Sequence, residues 1–241
     1  MADIITGLQT TAFTFAAGGD DLIVAQGGSL VIADGDAIRG GTFGGHEIGI
    51  FGNVNADDDA IDLAASIGSN RIAIGEFGSL TSIDASAIRL GGTFNVVINQ
   101  GSLTSLFGDG VISGGIDSVL RSSGDIAVNG VGVNFGENGT VQTSGSIIAG
   151  STGISALNGL SVNNSGTINA GFDGVQTGNN ANIRNTGEIL AQSDGIEAGD
   201  ALRLNNDGSI IAGDEGVQAA VITLANTGTI SSVLDAVQGT V

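Results

Sequence analysis

A short phrase recurs along this chain at a nearly constant interval, and this repeat constrains the fold more than any other feature. The phrase has the form Asn-x-Gly-x-Ile and begins at Asn164, Asn185, Asn206 and Asn226, at intervals of 21, 21 and 20 residues. Its glycine can be followed back through the chain to ten positions: Gly28, Gly52, Gly78, Gly101, Gly124, Gly145, Gly166, Gly187, Gly208 and Gly228. A period of this length is typical of solenoids, in which each repeat packs only on its neighbours.

Three apolar columns keep step with these glycines. Two residues after each glycine stand Leu30, Val54, Leu80, Leu103, Ile126, Ile147, Ile168, Ile189, Ile210 and Ile230. Four residues before each glycine stand Val24, Ile48, Ile74, Val97, Leu120, Val141, Val162, Ile183, Leu204 and Leu224. After a second small residue stand Ile38, Ile61, Ile88, Val111, Val133, Ile154, Val175, Ile196, Val217 and Val237. Within each repeat, apolar and polar residues alternate as in β-strands, and the long Leu-rich consensus of leucine-rich repeats is missing.

The sequence therefore predicts an all-β protein, a parallel β-solenoid (β-helix) of about ten rungs. We expect wider rungs in the N-terminal half and regular 21-residue rungs after Gly124. The absence of Pro fits a chain whose backbone amides are nearly all needed in strand pairing. No shift in composition marks a linker, so we predict a single solenoid domain over residues 20–241, preceded by an extended segment, 1–19, suited to donate a strand.

Charge and hydropathy restrict the partners of the chain. Its formal net charge of −19 makes nucleic acid and anionic membranes poor partners. No apolar run is long enough to cross a bilayer, so membrane insertion is not expected. The first residues do not have the basic and apolar regions of a cleaved signal peptide. The absence of Cys leaves the redox compartment open.

One corner of the predicted rung is acidic in seven of ten repeats, at Asp36, Asp59, Asp109, Asp173, Asp194, Glu215 and Asp235. Like charges stacked in adjacent strands repel each other. Two explanations are open: Asp favours the turn geometry of this corner, or Ca²⁺ bridges neighbouring rungs through carboxylate oxygens. The residues that we name as candidate Ca²⁺ ligands are Asp173, Asp194, Glu215 and Asp235, together with Asp57 and Asp59 of an acidic loop. Ca²⁺ is the one cofactor that the sequence indicates.

Catalytic chemistry finds little support in the sequence. His46 is the single histidine and there is no Cys, so a nucleophilic triad would have to be built around one glycine-flanked residue. Asp57, Asp58, Asp59 and Asp62 form the densest group of acids, yet the chain has no Trp or Tyr on which a sugar would stack. We therefore expect no enzymatic activity, and cleavage of a polysaccharide is the less favoured alternative.

The ends of the predicted solenoid point to self-assembly. The last repeat keeps the consensus, and no helical cap is recognisable at either end. An alternating segment with Phe13 and Phe15 precedes the first repeat, and Val233, Leu234 and Val237 lie in the last one. We expect these five residues to form the contact between copies of the chain, which would join head to tail into an open filament.

The phrase Asn-[Ser/Thr]-Gly-[Ser/Thr]-Ile, with its downstream acidic-Gly-Ile/Val corner, resembles the repeats of secreted bacterial β-solenoid proteins, including autotransporter passengers and filamentous adhesins. The resemblance implies a structural or adhesive role at the cell surface or outside the cell, with a surface glycan as a further partner. The missing signal peptide then implies export of the type I kind. A monomeric adhesin fragment and an intracellular cytoskeletal solenoid are the alternatives that this resemblance leaves open.

Overall fold

The structure, a computed structural model that describes residues 2–240, is a parallel β-solenoid of eleven rungs without a helix in that range. Each rung carries three short strands, one on each of three faces that we name A, B and C in chain order. Every strand pairs in parallel with the strand one rung away on the same face. The predicted fold class is confirmed.

The strand bounds follow the three faces. Face A consists of β1 (Asp3–Ile5), β4 (Asp21–Val24), β7 (Glu47–Ile50), β10 (Arg71–Ile74), β13 (Val96–Asn99), β16 (Val119–Ser122), β19 (Thr140–Thr143), β22 (Ser161–Asn164), β25 (Ala181–Asn185), β28 (Ala201–Asn206) and part of β30 (Val217–Asn226). Face B consists of β2 (Leu8–Gln9), β5 (Ser29–Val31), β8 (Asn53–Ala56), β11 (Ser79–Ser82), β14 (Ser102–Ser105), β17 (Asp125–Val128), β20 (Ser146–Ala149), β23 (Thr167–Ala170), β26 (Glu188–Ala191), β29 (Ser209–Ala212) and β31 (Thr229–Ser231). Face C consists of β3 (Phe13–Thr14), β6 (Ile38–Arg39), β9 (Ile61–Leu63), β12 (Ile88–Leu90), β15 (Val111–Ser113), β18 (Val133–Glu137), β21 (Ile154–Asn158), β24 (Val175–Asn179), β27 (Ile196–Ala198), the first part of β30 and β32 (Gln238–Thr240).

The pairing register confirms two of the predicted columns in full. On face B, Ile168 pairs with Ile189 and Ile189 with Ile210. On face C, Val175 pairs with Ile196, and the same column begins at Phe13 opposite Ile38. These side chains form the core, and most of them have no exposed surface.

The face A column was predicted wrongly at two rungs. Ile48 pairs with Leu22 and with Ile72, not with Val24 and Ile74. The corners before Gly28 and Gly78 are each two residues longer than the corner before Gly52, so counting back four residues reaches a different column. Val24 and Ile74 are nevertheless buried, one inward position further along face A.

The N-terminal segment belongs to the same stack. Its strands β1, β2 and β3 pair with β4, β5 and β6, so residues 3–15 form the first of the eleven rungs. Within residues 2–240, no strand pairs with the outer edge of this rung. If the segment donates strands to another copy, as predicted, it would do so through this outer edge.

The wider N-terminal rungs are confirmed, and much of their additional length lies in the corner between faces C and A. Residues 64–70 connect β9 to β10, whereas one residue, Asn180, connects β24 to β25. Stacked partners on face B are 26 residues apart at Asn53 and Ser79. The Asn column of the C-terminal half has a separation of 21 residues.

A close approach of backbones explains why the repeat is marked by glycine. A Cβ atom at Gly166 would lie 2.0 Å from the carbonyl oxygen of Gly145, and one at Gly187 would lie 2.1 Å from that of Gly166. Both distances are shorter than any van der Waals contact, so larger side chains would push the rungs apart. The glycine therefore recurs once in each rung because the rungs stack closely at this position.

The predicted column of Asn side chains is confirmed as an interior ladder. Asn164, Asn185 and Asn206 are fully buried. Each donates a hydrogen bond of 2.8 Å to the side-chain oxygen of the Asn in the next rung. Each also donates to two backbone carbonyls, so the polar groups at this corner are satisfied.

Candidate metal centre and the two end faces

The acidic corner lies where the chain enters face C, and its side chains point along the stack. Oδ1 of Asp173 accepts a hydrogen bond of 3.2 Å from the backbone amide of Asp194, and Oδ1 of Asp194 accepts one of 3.0 Å from the amide of Glu215. The amide of Val131 donates in the same way to Asp109, at 2.7 Å. The acids of this column, which we name the acidic ladder, thus link adjacent rungs.

In the N-terminal half the acidic ladder is accompanied by arginine. Asp36, Asp59 and Asp62 offer oxygen atoms that all lie within 4.8 Å of one another. Asp36 forms an ion pair with Arg39 at 3.3 Å, and Asp59 forms one with Arg89 at 3.2 Å. Oδ1 of Asp59 also accepts a hydrogen bond of 2.8 Å from the amide of Ser86. Two guanidinium groups therefore offset much of the negative charge of this N-terminal cluster.

In the C-terminal half a second cluster has the same geometry. Asp173, Asp194 and Glu197 offer oxygen atoms that lie within 4.8 Å of one another. Asp173 and Asp194 are buried, and Glu197 is half-buried. Glu197 accepts a hydrogen bond of 2.8 Å from the side-chain amide of Gln176. None of the ion pairs found within residues 2–240 involves a member of this C-terminal cluster.

Burial in the acidic ladder changes the titration of its carboxyl groups. It raises the pKa of Asp59 to about 6, although the Ser86 amide and Arg89 act in the opposite direction. It also raises the pKa of Asp173, against a hydrogen bond from the Asp194 backbone. The pKa of Glu215 is raised first by a hydrogen bond shared with the Asp194 carboxyl group. The carboxyl groups of Asp59, Asp173 and Glu215 are therefore more easily protonated than carboxyl groups in water.

The structure brings together only part of the predicted ligand set. Asp173 and Asp194 share a cluster, and Glu215 is the next residue of the same ladder. Asp235 is exposed in the last rung, and Asp57 lies outside both clusters. Asp59 belongs with Asp36 and Asp62 instead. Sequence reasoning missed Glu197. This residue directly follows the face C core residue Ile196, and in the N-terminal half Arg39 and Arg89 occupy the equivalent position. That shared position was the signal that could have identified it.

The N-terminal end face corrects one predicted interface residue. Phe15 is buried within its own subunit, where its ring stacks on His46 with centroids 4.0 Å apart. It therefore belongs to the core and does not present its ring to a neighbouring copy. Phe13 is partly buried at the open end, and its ring contacts that of Phe15 edge-on.

The C-terminal end face exposes two of the three residues that were predicted to form its contact. Val233 and Leu234 are 78% and 60% exposed. Val237, Leu224 and Ile230 are partly buried against the core. They are the last residues of the three apolar columns on faces C, A and B. Within residues 2–240 the outer edge of this rung also has no strand partner.

His46 is not positioned for surface chemistry. Its side chain is fully buried, and Nδ1 lies 3.0 Å from the backbone carbonyl of Asp20. The single histidine of the chain is thus a packing residue beneath the first rung, and the N-terminal acidic cluster contains no histidine partner.

No known protein family matches the chain, and no curated protein or solved structure does either. Among the described residues there is no helix that is long and apolar enough to cross a membrane. The solenoid fold is compatible with a structural or adhesin-like role.

Proposed function

We propose that this protein is a structural subunit that assembles head to tail, along the solenoid axis, into a filament outside the bacterial cell. The observation that carries the proposal is the pair of open ends. Within residues 2–240, three unpaired strand edges at the first rung match three unpaired strand edges at the last, on the same three faces. A contact between two different ends of the same subunit repeats without closing, and it generates a fibre.

Continuing the pairing register from one copy to the next defines the junction. On face C, the column of Phe13 and Ile38 at one end is the column of Val217 and Val237 at the other. Stacking would therefore place Phe13 of one copy against Val237 of the next. This contact removes apolar surface from water, at roughly 25 cal/mol per Å².

The other columns match less well, which makes the proposed junction moderate in strength. On face A, Asp3 occupies the column of Leu22, and it would meet Leu224 of the next copy. On face B, Gln9 occupies the column of Leu30 and would meet Ile230. Inward-facing polar residues at a sheet edge weaken edge-to-edge association.

Sedimentation of two neighbouring variants over a range of concentrations tests this junction. Phe13→Asp places a charge on the end face, and we expect it to keep the chain monomeric. Thr14→Asp adds the same charge one residue further along, at an exposed outward position, and we expect association like that of the unaltered chain. Equal association of the two variants would overturn the end-to-end junction.

A monomeric surface adhesin is the second candidate. A shallow polar concavity on the outer side of face A is lined by groups suited to glycan hydroxyls, among them Gln100, Arg121, Gln142 and Asn163. The wide corners between faces C and A also expose apolar side chains, including Ile67 and Phe94, at 74% and 58%. Glycan-array binding by a protein that remains monomeric would favour this candidate over the filament.

Localisation outside the cell, by export without a cleaved signal peptide, is part of the proposal and rests on the resemblance of the repeats. Fractionation of the native host, with antibody detection of the chain in medium, surface and cytoplasm, tests it. Recovery in the cytoplasm alone would instead favour a cytoskeletal role.

A further inference from the structure

The two acidic clusters are copies of one arrangement. Asp36, Asp59 and Asp62 occupy the same columns as Asp173, Asp194 and Glu197: two consecutive residues of the acidic ladder, and the outward residue beside the face C core column. In both clusters the oxygen atoms lie within 4.8 Å of one another. Oxygen atoms bound to one Ca²⁺ ion at about 2.4 Å are separated by no more than about 4.8 Å. Both clusters therefore have the spacing of a cation site.

The clusters differ in how their charge is compensated. The N-terminal one is held by Arg39 and Arg89, which stand in the outward column beside Asp62. In the C-terminal half that column reads Gln176, Glu197 and Gln218, so that amides replace both arginines while the middle position keeps an acid. Several carboxyl groups stacked a few ångströms apart without a cation repel each other strongly in a partly buried environment.

A buried atom of the C-terminal cluster has no partner. Asp173 is 1% exposed, and its Oδ1 accepts the amide hydrogen of Asp194. Its Oδ2 is buried and has no hydrogen-bond partner within residues 2–240. An unpaired carboxylate oxygen is among the most costly groups to bury, since it loses its water without a replacement. A cation among these carboxylates would satisfy it.

We propose that Asp173, Asp194 and Glu197 bind one divalent cation of the Ca²⁺ class, with Glu215 supplying a further carboxylate from the next rung. Hard oxygen ligands select Ca²⁺ over softer metals. The ion would cross-link consecutive rungs at a lateral corner of the solenoid. The site lies at a lateral corner, with Glu215 one rung inside the C-terminal end. It shares no residue with the proposed junction, so the inference does not depend on filament assembly.

Isothermal titration of the metal-free full chain with CaCl₂ tests the site, and calorimetric melting provides a second readout. We expect one Ca²⁺ per chain, with a Kd of about 10⁻⁴–10⁻³ M, because the site is built from carboxylates without a dedicated ligand loop. We also expect Ca²⁺ to raise Tm, since it binds the folded chain alone. No saturable binding up to about 10 mM Ca²⁺ would overturn the inference.

Matched variants locate the ion. D173N/E197Q keeps the side-chain shapes and the oxygen that accepts the Asp194 amide, but it removes two charges. We expect at least a tenfold loss of affinity and no rise in Tm with Ca²⁺. D36N/D62N makes the same change in the arginine-paired cluster, and we expect it to bind Ca²⁺ like the unaltered chain. Binding retained by D173N/E197Q, or lost in D36N/D62N, would contradict the assignment. The single variant Glu197→Gln, at a half-buried position, keeps the test valid if the double variant folds poorly.

Discussion

The side-chain amide of Asn164 donates a hydrogen bond of 2.8 Å to Oδ1 of Asn185, one rung away. Asn185 passes the same contact on to Asn206. Replacing Asn185 with Ala would leave the side-chain amide of Asn164 without its closest acceptor and Oδ1 of Asn206 without the donor from Asn185. We expect a loss of about 2 kcal/mol in the free energy of unfolding. Denaturant unfolding measures it.

Asn182→Ala is the matched control for this prediction, because Asn182 lies on the same strand and faces outward. We expect its stability to stay within about 0.5 kcal/mol of the unaltered chain. Equal losses of stability in both variants would mean that the hydrogen bonds between the stacked Asn side chains add nothing beyond strand propensity.

A second prediction concerns the face B column. Ile189 is fully buried between Ile168 and Ile210. Ile189→Asp would place an unpaired charge in the core, at a cost of about 4 kcal/mol or more. Leu190→Asp, one residue further on the outer surface, should cost less than about 1 kcal/mol. Similar thermal stability of both variants would refute the inward register of β26.

A third prediction follows from the raised pKa of Asp59. Its folded pKa of about 6 lies above the ordinary value of 3.8, so folding takes up a proton between these two pH values. The ionised carboxylate therefore lowers stability above pH ~6, and this penalty disappears as the pH falls towards ~4. Relative to Asp59→Asn, the unaltered chain should gain about 1 kcal/mol between pH 7 and pH 4.5, after allowance for solvent screening.

Unfolding in urea at a series of pH values measures this gain. The pH curves of the unaltered chain and of Asp59→Asn should differ in slope between pH 7 and pH 4.5. If the two curves are parallel, the pKa of Asp59 is not raised.

A fourth prediction concerns Asp3. Because it occupies the column of Leu22 at the open end, Asp3→Leu should continue the apolar column across the junction. We expect association to begin at a concentration about tenfold lower, as burial of one Leu side chain allows. Asp21→Leu removes the same charge on an outward position of the adjacent strand β4, and should not change association. Light scattering against concentration distinguishes the two.

The repeat could be predicted from sequence because rung stacking imposes the same requirement at every turn. A residue such as Ile189 must be apolar, and a residue such as Gly166 must have no side chain, so the columns are visible without a structure. Val24 and Ile74 were misplaced because the corners before Gly28 and Gly78 differ in length. Distances counted across a corner are not reliable where the corner length varies.

The candidate site was harder to predict. The alternation of apolar and polar residues shows whether a side chain points inward or outward, but it does not show which residues surround that side chain. Phe15 is an apolar residue in the alternating segment at the start of the chain, so it was predicted to lie at the interface. It is instead covered by the chain that follows and stacks on His46. Glu197 is one acid among many in the sequence. It becomes a candidate ligand only when Asp173 and Asp194 are known to stand beside it.

Electron microscopy of the purified full chain tests the central proposal, head-to-tail assembly, most directly. Eleven rungs at ~4.8 Å give an axial repeat of about 53 Å per subunit. We predict unbranched filaments that appear with increasing concentration and carry this repeat, with the strands perpendicular to the filament axis. Particles that remain single short rods at every concentration, or fibres with an axial repeat unrelated to the subunit length, would contradict it.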